Sequence, residues 1–87
     1  MRLFKLAAFT LASLTVAAPA MAASCYDLWY ARNAIYKDNG YCFKTNLGIS
    51  TFGNDGCWTN YAHLSPGEQS RANAIQREER YRGCHVN

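Results

Sequence analysis

The sequence predicts a mainly α, disulfide-stapled domain in which two antiparallel helices bracket an irregular loop with one short helical turn. Three observations predict it. Leu28, Trp29, Arg32, Ile35 and Tyr36 recur at helical spacing ahead of Asp38-Asn39-Gly40. Ser65-Pro66-Gly67-Glu68 opens a second helical stretch that has Gly83 just past its end. Four cysteines, Cys25, Cys42, Cys57 and Cys84, flank these segments.

The first helix starts near Cys25 and stops at Gly40. Its apolar residues share one face. Ser24 or Asp27 can accept bonds from the first free backbone N–H groups. Asn39 and Gly40 tolerate the left-handed conformation that closes a helix. Tyr41-Cys42-Phe43 alternates and is expected to be extended, with Phe43 turned inward. Thr45 or Asn46 can cap a short turn that would place Leu47, Ile49 and Phe52 on the core, against the helix-weakening Gly48. Gly53-Asn54-Asp55-Gly56 has the composition of a turn with residues suited to positive φ. Residues 59–63 carry no pattern of a regular element.

The second helix has the clearer start. Ser65 caps, Pro66 suits the first helical position, and Glu68 completes a capping box. Ala72, Ile75, Gln76 and Glu79 fall on one side of it. That face is thinly apolar, so packing and Cys84 must hold the helix in place.

The pattern Arg32-Asn33, Ile35-Tyr36, Gly40-Tyr41 and Phe43 resembles the core of the YARHG domain, a small extracellular bacterial domain. The eponymous string would fall on residues 36–40, where Tyr36 and Gly40 match; the wider pattern carries the resemblance, which covers roughly residues 25–84. It implies fold context and an extracellular setting, and no particular activity.

Residues 1–22 are expected to be a signal peptide. Arg2 and Lys5 precede an uncharged apolar run from Leu6 to Ala18, and Ala20-Met21-Ala22 offers small residues before a cut at Ala23. The run is too short for a bilayer span, which takes about 20 residues. Export to the periplasm or beyond the cell follows, with no stable membrane span after cleavage. The remaining residues, 23–87, make one domain, expected to be a monomer. Ordering a chain this short costs about 1.5 kcal/mol per residue, which roughly cancels its apolar burial, so staples are expected. Without Arg2 and Lys5, seven basic side chains face six acidic ones. That balance argues against a nucleic-acid partner, which needs a clustered basic surface. The arginines of residues 71–82 are interrupted by Glu78 and Glu79, as on a solvated helix face.

The cysteine spacings of 17, 15 and 27 contain no close pair of the kind zinc sites use. Disulfides suit an exported chain better, and no metal or cofactor is expected. Antiparallel helices put the start of the first beside the end of the second. That geometry pairs Cys25 with Cys84 and leaves Cys42 with Cys57, one of three possible connectivities. Four paired cysteines leave no nucleophilic thiol for His63 or His85 to activate. The clasp also sets a register in which Arg32 falls opposite Glu79 within a helical turn. A bidentate pair there would lock the register; alternatively Arg32 binds an anion.

Glycoside hydrolysis would need two carboxyls about 5–10 Å apart across a cleft. Asp27, Asp38 and Glu68 have capping or helix-end explanations, and Asp55 lies in a turn. Ten aromatic residues remain after export. Trp29, Tyr36, Phe43 and Phe52 are expected in the core. Tyr30, Trp58 and Tyr61 are the candidate binding surface, able to stack on sugar faces or to anchor a protein. These readings favour a non-catalytic exported binding or structural module of the cell envelope, partnered by a wall polymer or an envelope protein. The alternatives are a small secreted or periplasmic hydrolase or accessory enzyme, and a secreted inhibitor or toxin-like peptide with a rigid exposed loop over residues 53–62.

Overall fold

The computed structural model describes residues 23–87; the expected signal peptide lies outside the described residues. Three helices follow in order: α1 (Cys25–Asp38), α2 (Asn46–Phe52) and α3 (Pro66–Arg82). Both long helices begin on complete capping boxes. In α1, Ser24 Oγ accepts from Asp27 N and Asp27 Oδ2 accepts from Ser24 N, each at 3.1 Å. Ser65 and Glu68 make the same exchange at 3.2 and 2.9 Å. Two of the orphan donors at each helix start are thereby satisfied. The end of α3 closes on left-handed Gly83, with Cys84 N donating to Glu79 O at 2.9 Å. This is the six-residue closure that glycine makes accessible.

α1 and α3 run antiparallel, tied at three levels. Cys25–Cys84 closes one end, with a Cα separation of 5.5 Å. Arg32 meets Glu79 in the middle. Asn39 Nδ2 donates to Glu68 Oε2 at 3.2 Å at the other end. Ala72 is buried between the helices, where its small side chain permits close approach.

Trp29, Ile35, Phe43 and Ala72 form the buried apolar centre. Phe43 and Phe52 stack at 5.0 Å, and Trp29 lies 5.9 Å from Phe52. Phe52 and Tyr36 are only half-buried. Ile49 departs from expectation. It is exposed, and Gly48 takes the inward position on α2. The reason is steric: a Cβ on Gly48 would lie 2.9 Å from Phe43 Cδ1. Glycine weakens a helix, yet here it lets α2 rest directly on the Phe43 ring. Thr45 caps α2, its Oγ1 accepting from Gly48 N at 3.0 Å.

The middle loop is built on short-range pairing. Cys42 N donates to Thr59 O at 2.8 Å, and Trp58 N and Thr59 N both donate to Gly40 O. Tyr41 and Thr59 thus make an isolated parallel bridge. Cys42–Cys57 staples it, with a Cα separation of 5.1 Å. In the 53–56 turn only the two glycines have positive φ. Asn54 contributes through its side chain, accepting from Phe43 N at 2.8 Å and donating to Phe43 O at 3.1 Å. It takes the place of a neighbouring strand beside Phe43.

Candidate functional site

A groove of about 420 Å³ opens where α1, the 60–64 segment and the first turns of α3 meet. α1 supplies Arg32, Asn33 and Tyr36, which sit on its α3-facing side. Tyr41 follows from the bridge, and Asn60, Tyr61, Ala62 and Leu64 form the opposite wall. Gln69 of α3 closes one end.

Each wall is fixed by local chemistry. Thr59 Oγ1 accepts from Tyr61 N at 3.0 Å and donates to Tyr61 O at 2.9 Å, which sets the backbone of Tyr61. Lys44 Nζ donates to Asn60 Oδ1 at 2.6 Å and lies 5.5 Å from the centre of the Tyr41 ring. Tyr36 and Tyr41 are 6.0 Å apart, and Tyr41 meets Phe43 edge-on at 5.1 Å. Tyr36 and Tyr41 are therefore backed by the core through Phe43, which fixes their rings.

Arg32 joins the groove to the register of the helices. Its Nε and Nη2 donate to Glu79 Oε1 and Oε2 at 2.8 and 3.2 Å. The guanidinium also lies 5.8 Å from the Tyr36 ring centre. Burial by itself would lower the Arg32 pKa; the hydrogen bonds and charge of Glu79 and Tyr36 outweigh it and raise the pKa. Arg32 therefore stays charged and matched. A second, smaller groove borders Trp29, Arg32, Asn33 and Glu79, beneath the chain from Cys84 to Asn87.

Asn33 is buried in the middle of α1, and its Nδ2 donates to Trp29 O at 2.9 Å. Sequence reasoning passed over it as a site residue, although it stands in the Arg32-Asn33 pair and asparagine is a poor interior helix residue. Tyr41, Asn60 and Gln69 were missed as well. Their types are common on surfaces, and only the fold brings them together.

The three candidate aromatics do not form one platform. Tyr61 is 77% exposed and lines the larger groove. Trp58, 73% exposed, lies flat against Gly40 outside that groove. Tyr30 packs on Phe52 at 4.9 Å. It precedes Arg32 by two positions, about 200° around α1, and does not line the groove. Tyr26 lies beside Tyr30, at 6.2 Å.

The acidic residues are dispersed. Asp27 and Glu68 serve the caps, Glu78 pairs with Arg82 at 2.7 Å, and Glu79 pairs with Arg32. Asp38 and Asp55 are exposed. Among the described residues no cluster of histidine, cysteine or acidic side chains fits a metal ion, and no helix is long and apolar enough to cross a membrane. All four cysteines are in disulfides, which mark an oxidising compartment.

Neither a curated protein nor a solved structure matches this chain. The family model of the YARHG domain matches residues 5–80. That span includes α1, α2, the stapled loop and nearly all of α3, and so the chain belongs to the YARHG domain family, a family of small extracellular-type domains.

Proposed function

We propose that the domain is a non-catalytic binding or structural module of the cell envelope, working in the periplasm or outside the cell, with a wall polymer or an envelope protein as its partner. The observation that carries this reading is the lining of the larger groove: three tyrosines, three amide side chains and a charge-matched arginine, with no carboxylate. Rings and amides offer hydrogen bonds and apolar faces for recognition, and the lining holds no carboxylate, histidine or lysine for acid–base chemistry. A hydrolase of sugars would need two carboxyls converging on one cleft. The smaller groove offers only Glu79, already held by Arg32. A second reading, an inhibitor-like contact with a protein, draws support from exposed Trp58 and Tyr61 on the disulfide-stapled loop.

The test is retention of the oxidised protein on insoluble peptidoglycan and on a solubilised envelope fraction, alongside Tyr61→Ala, Trp58→Ala and Tyr30→Ala. Retention that Tyr61→Ala abolishes and Tyr30→Ala leaves intact supports the groove as the binding surface. Loss with Trp58→Ala instead supports the loop contact. No retention on either material counts against the binding reading.

A further inference from the structure

Resting on the binding reading above, we infer that the larger groove takes a neutral N-acetylated hexosamine unit of a polysaccharide, with Asn33 accepting from its amide N–H. Asn33 is the pivotal residue. It is 8% exposed and sits mid-helix, where asparagine is unfavourable. Its Nδ2 bonds the Trp29 carbonyl, which the α-helical ladder already engages, so that bond rescues no orphan group. The bond assigns the other amide atom as oxygen. That Oδ1 receives no hydrogen bond among the described residues, yet it is not sealed away from solvent. Asn33, which also borders the smaller groove, thus holds an acceptor at the wall the two grooves share.

The electrostatics disfavour a cation, since no carboxylate borders the groove. The two nearby positive charges are engaged: Arg32 by Glu79, and Lys44 by Asn60 Oδ1 and the Tyr41 ring. The apolar surfaces select its shape. Tyr61 presents a largely exposed ring for the C–H face of a pyranose, and Ala62 and Leu64 offer a small apolar patch suited to a methyl group. Gln69 Nε2 donates one hydrogen to Asn73 Oδ1 at 3.0 Å and keeps the second for a carbonyl oxygen. An acetamido sugar combines N–H, C=O, methyl and ring face in one unit. A plain hexose lacks the first three, and a flexible peptide lacks the last. The groove volume of about 420 Å³ suits a ligand of this size, since small-molecule sites occupy about 300–1,000 Å³.

The experiment is an NMR titration of the oxidised protein with tri-N-acetylchitotriose and, separately, cellotriose. Saturable shifts at Asn33, Tyr41, Asn60, Tyr61 and Gln69 with the acetylated sugar are expected. Affinity should fall about tenfold in Tyr61→Ala and stay unchanged in Tyr30→Ala. Cellotriose should bind at least about tenfold more weakly, for want of the amide. Equal binding of the two sugars overturns the amide assignment. Absence of shifts with the acetylated sugar, from a protein retained on peptidoglycan or envelope, overturns this inference and leaves the binding module standing. Absence of shifts together with no retention overturns both.

Discussion

Arg32 and Glu79 face each other across the two long helices, two nitrogens on two carboxylate oxygens at 2.8 and 3.2 Å. Their side chains keep only 20% and 12% of their surface exposed. The pair stands midway between the Cys25–Cys84 clasp and the Asn39–Glu68 hydrogen bond, so all three contacts specify one antiparallel register.

Breaking that pair from one side leaves a half-buried charge unmatched. Glu79→Ala is expected to cost about 2 kcal/mol, between the values for exposed and fully buried pairs. In a domain of this size that lowers Tm by roughly 10 °C. Thermal melts followed by circular dichroism check it, and the double variant Arg32→Met with Glu79→Met should recover most of the loss. An unchanged melt in Glu79→Ala would remove the register role.

Gly40 has φ +81°, and a Cβ there would sit 2.4 Å from the Trp58 ring. Gly40→Ala therefore carries two separable penalties, left-handed strain of about 1–2 kcal/mol and displacement of the indole. Trp58→Ala should relieve the second but not the first. In a double-mutant cycle by denaturant unfolding, Gly40→Ala is expected to cost less in the Trp58→Ala background. Equal costs in both backgrounds would mean that the ring does not rest on Gly40.

The Glu68 carboxyl is held below its usual pKa by the Ser65 backbone N–H first, and then by the Asn39 amide. A carboxylate depressed in the folded state contributes stability that is present above its unfolded pKa and is lost as pH falls through its folded pKa. The contribution of this cap should thus be flat above about pH 4.5 and decline below it. A carboxyl-detected NMR titration should find Glu68 below the ordinary range in the wild type, and higher in Ser65→Ala.

The disulfides close loops of different length, 59 and 15 residues. By chain entropy the longer contributes about 4 kcal/mol and the shorter about 3 kcal/mol. Replacing Cys25 and Cys84 by serine should therefore destabilise more than replacing Cys42 and Cys57, as urea unfolding of the two variants would measure.

Much of the fold is legible because its signals are local. Capping boxes, Gly83 past α3 and the helical spacing of α1 depend on near neighbours in sequence. The antiparallel geometry then follows from which residues flank which helix. Ile49 is misplaced in the sequence reading because propensity sees Gly48 as a defect, whereas the fold uses its missing side chain to seat α2 on Phe43. The groove was harder to read. Asn33, Tyr41, Asn60 and Gln69 come from four segments, and only the stapled loop carries Asn60 and Tyr61 to the α3-facing side of α1. Exposure alone grouped Tyr30 with Tyr61, although Tyr30 packs on Phe52 and Tyr61 lines the groove.

The central claim is that this domain binds its partner through the groove between α1, the 60–64 segment and α3. The most direct measurement is an amide chemical-shift map of the oxidised protein titrated with a soluble digest of peptidoglycan. Shifts gathered at Asn33, Tyr41, Asn60, Tyr61 and Gln69 are predicted. Shifts gathered instead around Tyr26, Tyr30 and Phe52, or no shifts from a protein that the intact polymer retains, would contradict it.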